Sequence, residues 1–278
     1  MTDVRGALGE ALAGRYVIEG ELGRGGMATV FQARAEGRDR SVAIKVMNPN
    51  LADALDGKRF VREMAVAASL DHPLIVPLID SGRAGNVLYY VMPRVDGESL
   101  YLRLQRERRL PPPVAIGIAR DVASALAYAH GRGVMHRDVK PENILLAGGR
   151  ALIADFGLAR AIGAADYTRL TATGVIVGTV YYMSPEQLRE EPDLDQRTDV
   201  YSLGCMLYEM LSGEPPYTGR TLSDVASRIL RGPVPSVRRL RPEVPDAVDE
   251  TIARALAKAR AERIATMAEL LATLPSGI

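Results

Sequence analysis

The run His136-Arg137-Asp138-Val139-Lys140-Pro141-Glu142-Asn143 is followed by Ile144-Leu145-Leu146 and, after a turn, by Asp155-Phe156-Gly157. Two acids, a lysine and an amide thus fall at short intervals around one hairpin, a set that a purely structural hairpin has no use for. Asp138 can orient an attacking hydroxyl and accept its proton, and Lys140 can neutralise a γ-phosphoryl group. Asn143 and Asp155 offer hard oxygen ligands of the kind Mg2+ takes. Together these groups suit transfer of a phosphoryl group to a hydroxyl.

Two further patterns point to the same chemistry. In Val42-Ala43-Ile44-Lys45 a lysine stands within an apolar strand. Buried there, its ammonium needs a partner or a ligand; on an edge strand it could simply face water. Glu63 is the only glutamate between Lys45 and Glu98 and lies in a helical pattern among small apolar neighbours. A Lys45–Glu63 ion pair is therefore expected, holding the lysine where it can reach α- and β-phosphates. Upstream, Gly23-Arg24-Gly25-Gly26-Met27-Ala28-Thr29-Val30 lies between two strand-like runs. Glycines there let backbone amides approach phosphates, although a plain hairpin turn would look the same. A Rossmann loop would continue into a helix, and a Walker loop would contain Gly-Lys-Ser/Thr; neither occurs.

These residues need elements to position them. The spacing predicts strands over Tyr16 to Leu22, Thr29 to Ala33, Ser41 to Met47, Leu74 to Ser81 and Val87 to Met92. One helix, about Lys58 to Leu70, interrupts them, with Phe60, Val61, Met64, Ala65 and Ala68 expected on its buried face. Beyond Asp96 the pattern turns helical: Pro113 to His130, Thr198 to Ser212, Ser223 to Leu230, Pro245 to Leu256 and Met267 to Leu274. Pro111-Pro112-Pro113 reads as a helix start. The fold class is α+β: a small antiparallel β-sheet lobe carrying one helix, then a larger, mainly helical lobe. Residues 1–14 read as a loose tail or short helix, 15–95 as the small lobe and 96–278 as the large one.

Composition fits and excludes. The 278 residues carry 35 Lys plus Arg against 34 Asp plus Glu, a net charge of +1 that gives no broad basic field for nucleic acid. One cysteine, Cys205, rules out an intramolecular disulfide and a multi-cysteine zinc site, and three histidines leave little for a His-rich metal centre. The apolar run around Cys205 is broken by Glu209 and is too short for a bilayer span, and no membrane contact is expected within this stretch.

With these motifs in this order, the chain resembles eukaryotic-like Ser/Thr protein kinases over about residues 10 to 274, most closely those of bacterial receptor type. The resemblance implies ATP and Mg2+ as cofactors, with Mn2+ as a substitute. It casts Lys45 and Glu63 as the strand lysine and helix glutamate, Asp138 as the catalytic aspartate with Lys140 beside it, and Asn143 and Asp155 as metal ligands. ATP would be bound by Leu22, Gly23, Arg24, Gly25, Gly26, Val30, Ala43, Lys45, Met92, Pro93, Val95 and Leu145. Met92 resembles a gatekeeper and Pro93 to Val95 a hinge whose backbone meets adenine. Lys140, two residues after Asp138, is similar to the Ser/Thr-specific pattern. Ala28 stands where the common glycine loop has a third glycine, and Ser184-Pro185-Glu186 replaces Ala-Pro-Glu.

The resemblance also speaks to regulation. Arg137 before Asp138 resembles kinases whose activation segment is set by phosphorylation, because an arginine beside the catalytic loop is repelled by other positive groups until a phosphate pairs with it. Thr171 and Thr173 resemble autophosphorylated threonines, whereas Thr179 resembles the residue that contacts Asp138 and Lys140 in the substrate loop. Asp199 is expected to hold the catalytic-loop backbone, and Glu186 with Arg263 to form a buried pair. Arg103, Arg106, Arg108 and Arg109 read as the solvated face of a helix. The implied partners are proteins bearing Ser or Thr, and a second copy acting in trans, with pairing through the small lobes as an analogy. The implied location is the cytoplasm, as a soluble enzyme or as the intracellular part of a membrane-anchored receptor. Two alternatives are a nucleotide-binding scaffold of pseudokinase type and a small-molecule phosphotransferase of related fold. The complete set Lys45, Glu63, Asp138, Lys140, Asn143 and Asp155 speaks against the first. The Gly178-Thr179 and Ser184-Pro185-Glu186 elements speak against the second.

Overall fold

Period-two alternation of apolar side chains over the first ninety residues builds a five-stranded antiparallel sheet. The computed structural model describes residues 6, 8, 9, 12–37, 40–48, 57–84, 87–159 and 179–275. Its strands are β1 (Tyr16–Arg24), β2 (Ala28–Ala35), β3 (Ser41–Met47), β4 (Asp80–Ala84) and β5 (Val87–Pro93), in the order β1-β2-β3-β5-β4. Alternate residues of β2, β3 and β5 face two separate apolar layers. Val42, Ile44 and Val46 join Phe31, Ala33, Tyr89 and Val91 on one side, where Leu8 and Leu12 pack fully buried. Gly6, Leu8, Gly9 and Leu12 are helical, so the segment read as a loose tail or short helix contributes two leucines to the core. On the other side Met47, Leu88 and Tyr90 meet Phe60 and Met64 of helix α1 (Gly57–Ala67).

Two expectations for this lobe are corrected. The inward face of α1 is Phe60, Glu63, Met64 and Ala67, while Val61, Ala65 and Ala68 are exposed. Burying the Glu63 carboxylate rotates the helix away from the stripe that apolar periodicity alone selects. The strand expected from Leu74 begins only at Asp80. Residues Leu74 to Val76 instead pair with the large lobe: Ile75 bridges Ile153 in parallel, with Val76 N–H donating to the Ile153 carbonyl (2.9 Å) and Ile153 N–H to that of Leu74 (2.9 Å). This apolar run is used up as a seam between the lobes.

The large lobe begins with a short strand β6 (Glu98–Ser99), which pairs with β7 (Ile144–Ala147) and, through it, joins β8 (Arg150–Ile153). Ser99 caps α2 (Leu100–Glu107) by accepting the Leu102 N–H. The proline run starts α3 (Pro112–His130), where a missing N–H costs nothing. Helix α5 (Arg197–Ser212) is apolar nearly all round and correspondingly buried, and it closes at Gly213 with a left-handed φ of 94°. Around it lie α4 (Pro185–Leu188), α6 (Leu222–Arg231), α7 (Asp246–Ala255) and α8 (Met267–Thr273). Capping boxes start α4 at Ser184 and α6 at Thr221. Among the described residues, no helix is long and apolar enough to cross a membrane.

Candidate active site

A cleft of about 510 Å3 lies between the lobes, lined by the glycine turn, Val30 and Lys45 above and by Lys140, Glu142, Asn143 and Thr179 below. The turn is pinned from beneath by a residue that the motifs do not announce. Asn48 Nδ2 donates to the carbonyls of Gly25 (3.2 Å) and Gly26 (2.5 Å), and its N–H donates to Met27 (2.9 Å). The Arg24 side chain turns outward to Glu21 (2.8 and 3.1 Å). Ala28, in place of the third glycine, is buried against Met47 and Phe60, so its methyl group has a packing role.

On the floor of the cleft the catalytic-loop residues lock onto one another. Lys140 Nζ bridges Asp138 Oδ2 (2.9 Å) and Thr179 Oγ1 (2.7 Å). Asn143 Nδ2 donates to the backbone carbonyl (2.8 Å) and Oδ2 (3.1 Å) of Asp138. With its amide NH2 so engaged, Asn143 keeps Oδ1 as the atom a cation can use. Asp138 Oδ1 is buried without a partner and is left for an incoming donor.

This geometry is held from below by Asp199. Its Oδ2 accepts the His136 N–H (2.9 Å) and a bond from His130 Nε2 (2.7 Å), and its Oδ1 accepts the Arg137 N–H (2.7 Å). Full burial opposes ionisation, but the His130 bond and charge and these amides prevail and keep the carboxyl below its usual range. Arg137, with a left-handed φ of 66°, is fixed further by Gln187 Nε2 on its carbonyl (2.9 Å). His130 and Gln187 escaped the sequence reading because neither belongs to a spaced motif; both lie in contact only after folding.

The upper wall differs from expectation. Lys45 and Glu63 do not form the expected ion pair: Lys45 Nζ pairs with Asp155 Oδ2, and Tyr90 Oη donates to Asp155 Oδ1 (2.5 Å). Glu63 stays buried in α1 with Arg62 at 3.4 Å. Asp155 adopts φ 68° and lines a narrow crevice with Tyr90, Met92, Phe156 and Ala67, rather than the main cleft. Burial works against its charge, yet Lys45 and the two hydrogen bonds hold its carboxyl below the usual range. The reason is tertiary: strand register sets Tyr90 directly opposite Lys45, so both side chains reach Asp155 from one face.

At the adenine end, Ala43 on β3 is opposite Met92 on β5, and Val42 is opposite Pro93. Arg94 N–H still bonds Ser41 (3.2 Å), after which Val95 leaves the sheet. Leu145 comes from β7 below and Leu22 stands exposed at the rim of β1. Glu186 and Arg263 form their buried pair, and the arginine-rich face of α2 is solvated, with Arg106 on Glu98 and Arg103 on Glu107. Thr171 and Thr173 lie outside the described residues.

A family model described as the protein kinase domain matches residues 16–273. The chain belongs to the protein kinase family. The kinase chain is 43% identical over 270 residues to the serine/threonine-protein kinase PknB of Mycobacterium leprae, covering 95% of this chain and 43% of that protein. It is 41% identical over 261 residues to PknE of Mycobacterium tuberculosis, covering 93% and 45%. The crystal structure of a mutant of the Mycobacterium tuberculosis PknI kinase domain superposes with a TM-score of 0.75 at 31% identity, covering 94% of each chain. The resemblance drawn from motifs is borne out, as is the two-lobed α+β fold. This kinase chain spans less than half the length of the curated relatives it matches.

Proposed function

We propose that the chain is a protein serine/threonine kinase that transfers the γ-phosphoryl group of ATP to protein hydroxyls with Mg2+, or Mn2+ in its place. The observation that carries this reading is the Asp138–Lys140–Asn143–Thr179 cluster, with one unpartnered Asp138 oxygen, at the phosphate end of the cleft. Asp138 orients the substrate hydroxyl and takes its proton as that oxygen bonds to phosphorus and the bond to ADP breaks. Lys140, tied to both Asp138 and the Thr179 loop, sets its charge beside the phosphoryl group. Asn143 Oδ1 and the Asp155 carboxylate are the hard oxygen donors for the metal, which when bound neutralises charge on the phosphates. Gly23, Gly25 and Gly26 bring backbone amides over the phosphates, while Val30, Ala43 and Leu145 flank the purine and Leu22, Met92, Pro93 and Val95 border it.

The same reading makes Thr171 and Thr173 sites of autophosphorylation, with Arg137 as the cation that receives the phosphate. It makes Ser- and Thr-bearing proteins, and a second copy in trans, the partners, in the cytoplasm. It takes 15–278 as one catalytic domain. Incubation with radiolabelled ATP and Mg2+, alone and with a generic basic protein, tests it. Label on Ser or Thr of either protein, including Thr171 or Thr173 by phosphopeptide mapping, is expected; no incorporation favours a nucleotide-binding scaffold instead.

A further inference from the structure

Asp155 has two jobs in conflict. The proposed function needs its carboxylate at the metal, yet both oxygens are engaged elsewhere, Oδ2 by Lys45 and Oδ1 by Tyr90. The two donors are not equivalent. Lys45 lines the phosphate cleft and has Glu63, buried in α1, as an alternative partner on the same side of the sheet. Tyr90 has no such alternative: its side chain is buried among Met47, Phe60, Met64 and Leu88, and Asp155 is the only acceptor for its hydroxyl among the described residues. A phenol carries its proton at neutral pH and is a donor to the carboxylate here. A buried hydroxyl that loses its acceptor is costly, which favours the bond whenever Asp155 is within reach.

We propose that Tyr90 is a positioning residue that tethers Asp155 in the crevice behind Met92, so that a metal-bound nucleotide must pull the carboxylate off the phenol. This rests on Asp155 being the metal ligand. Were Lys45 to leave Oδ2, the Tyr90 bond to Oδ1 would still hold the carboxylate back. The tether lowers the chain's affinity for metal–nucleotide without touching either.

The test is a titration of fluorescent N-methylanthraniloyl-ADP into the purified chain, with Mg2+ and with EDTA, for wild type and Tyr90→Phe. Tyr90→Phe is expected to bind about tenfold more tightly in Mg2+, in keeping with loss of one hydrogen bond to a charged group, and equally in EDTA. Unchanged or weaker Mg2+-dependent binding in the variant overturns the tether. A wild type whose binding is indifferent to Mg2+ would instead fail the phosphotransferase reading, so the two failures are distinct. In turnover, the Mg2+ concentration for half-maximal rate should fall while kcat does not; a Tyr90 that only fills space would lower Tm and leave this value alone. The metal-free Tm losses of Tyr90→Phe and Asp155→Asn should not add in the double variant; additive losses also overturn the proposal. Tyr90→Met, which fills the site without a donor, carries the same tests if Tyr90→Phe does not fold.

Discussion

Arg263 grips Glu186 with both terminal nitrogens, Nη1 to Oε1 at 2.5 Å and Nη2 to Oε2 at 3.0 Å, and both residues are almost wholly buried. Arg263 also bonds the carbonyls of Arg197 (2.9 Å) and Ala257 (3.1 Å), so one guanidinium joins α4 to the start of α5 and the end of α7. Its rigid fork fits this set of acceptors as an ammonium could not.

Removing the fork should cost folding first. Arg263→Ala leaves a buried carboxylate unpaired and is expected to lose about 4 kcal/mol, lowering Tm by roughly 10 °C. Arg263→Lys should recover less than half of that loss. Scanning calorimetry of the three proteins checks it, and a Tm within a degree of wild type for the alanine variant would refute it.

The Asp138 variant separates binding from chemistry. Asp138→Asn keeps the hydrogen bonds to Lys140 and Asn143 largely satisfiable but cannot take a proton, so kcat should fall by roughly a thousandfold. KM for ATP should change little. Steady-state phosphate transfer to a protein substrate measures both.

Glu209 gives a pH signature. It accepts the Tyr182 hydroxyl at 2.6 Å, but burial, with Glu142 nearby, pushes its carboxyl up to about 7. The folded state therefore holds a proton more tightly than the unfolded chain does. The stability this provides is complete below about pH 4.5 and is lost as pH rises through about 7. Glu209→Gln, which cannot ionise, should melt near wild type at pH 5 and roughly 5 °C higher at pH 8. A gap that does not widen between these two pH values would sink the assignment.

Gly97 has no room for a side chain. A Cβ there would stand 2.1 Å from the Leu146 carbonyl oxygen, which is backbone and paired in β7. Gly97→Ala should cost about 3 kcal/mol. It should also raise KM for ATP several-fold, because the displaced segment joins the Pro93–Val95 stretch to Leu145. Urea denaturation and ATP titration test the two halves separately.

What the sequence disclosed was the part whose spacing is dictated by chemistry. Asp138, Lys140 and Asn143 meet as the motif implied, because a few residues of chain fix them relative to one another; Thr179, 39 residues from Lys140, meets it as the resemblance implied. Strand and helix types were legible too, most ends being displaced by one to three residues, as where the Thr221 cap starts α6 at Leu222; the strand expected from Leu74 was the exception, beginning only at Asp80. Contacts between distant elements were legible only where the resemblance carried them, as for Glu186 with Arg263 and Asp199 with the catalytic-loop backbone. Whether Lys45 takes Glu63 or Asp155 depends on where α1 sits against β3, a matter of packing across the sheet. Tyr90 looked like one more β5 aromatic, and the inward turn of Glu63 misplaced Val61, Ala65 and Ala68 because periodicity counts small apolar residues as core.

Leu8 and Leu12 have a practical consequence. A boundary drawn where the family match starts, at Tyr16, would strip two wholly buried leucines from the far side of the sheet that carries Lys45. A truncated protein of that design would present Phe31, Ile44 and Val91 to water as a sticky face. Poor yield or clumping of such a shortened version would then report on the missing cover, and not on the integrity of the catalytic loop.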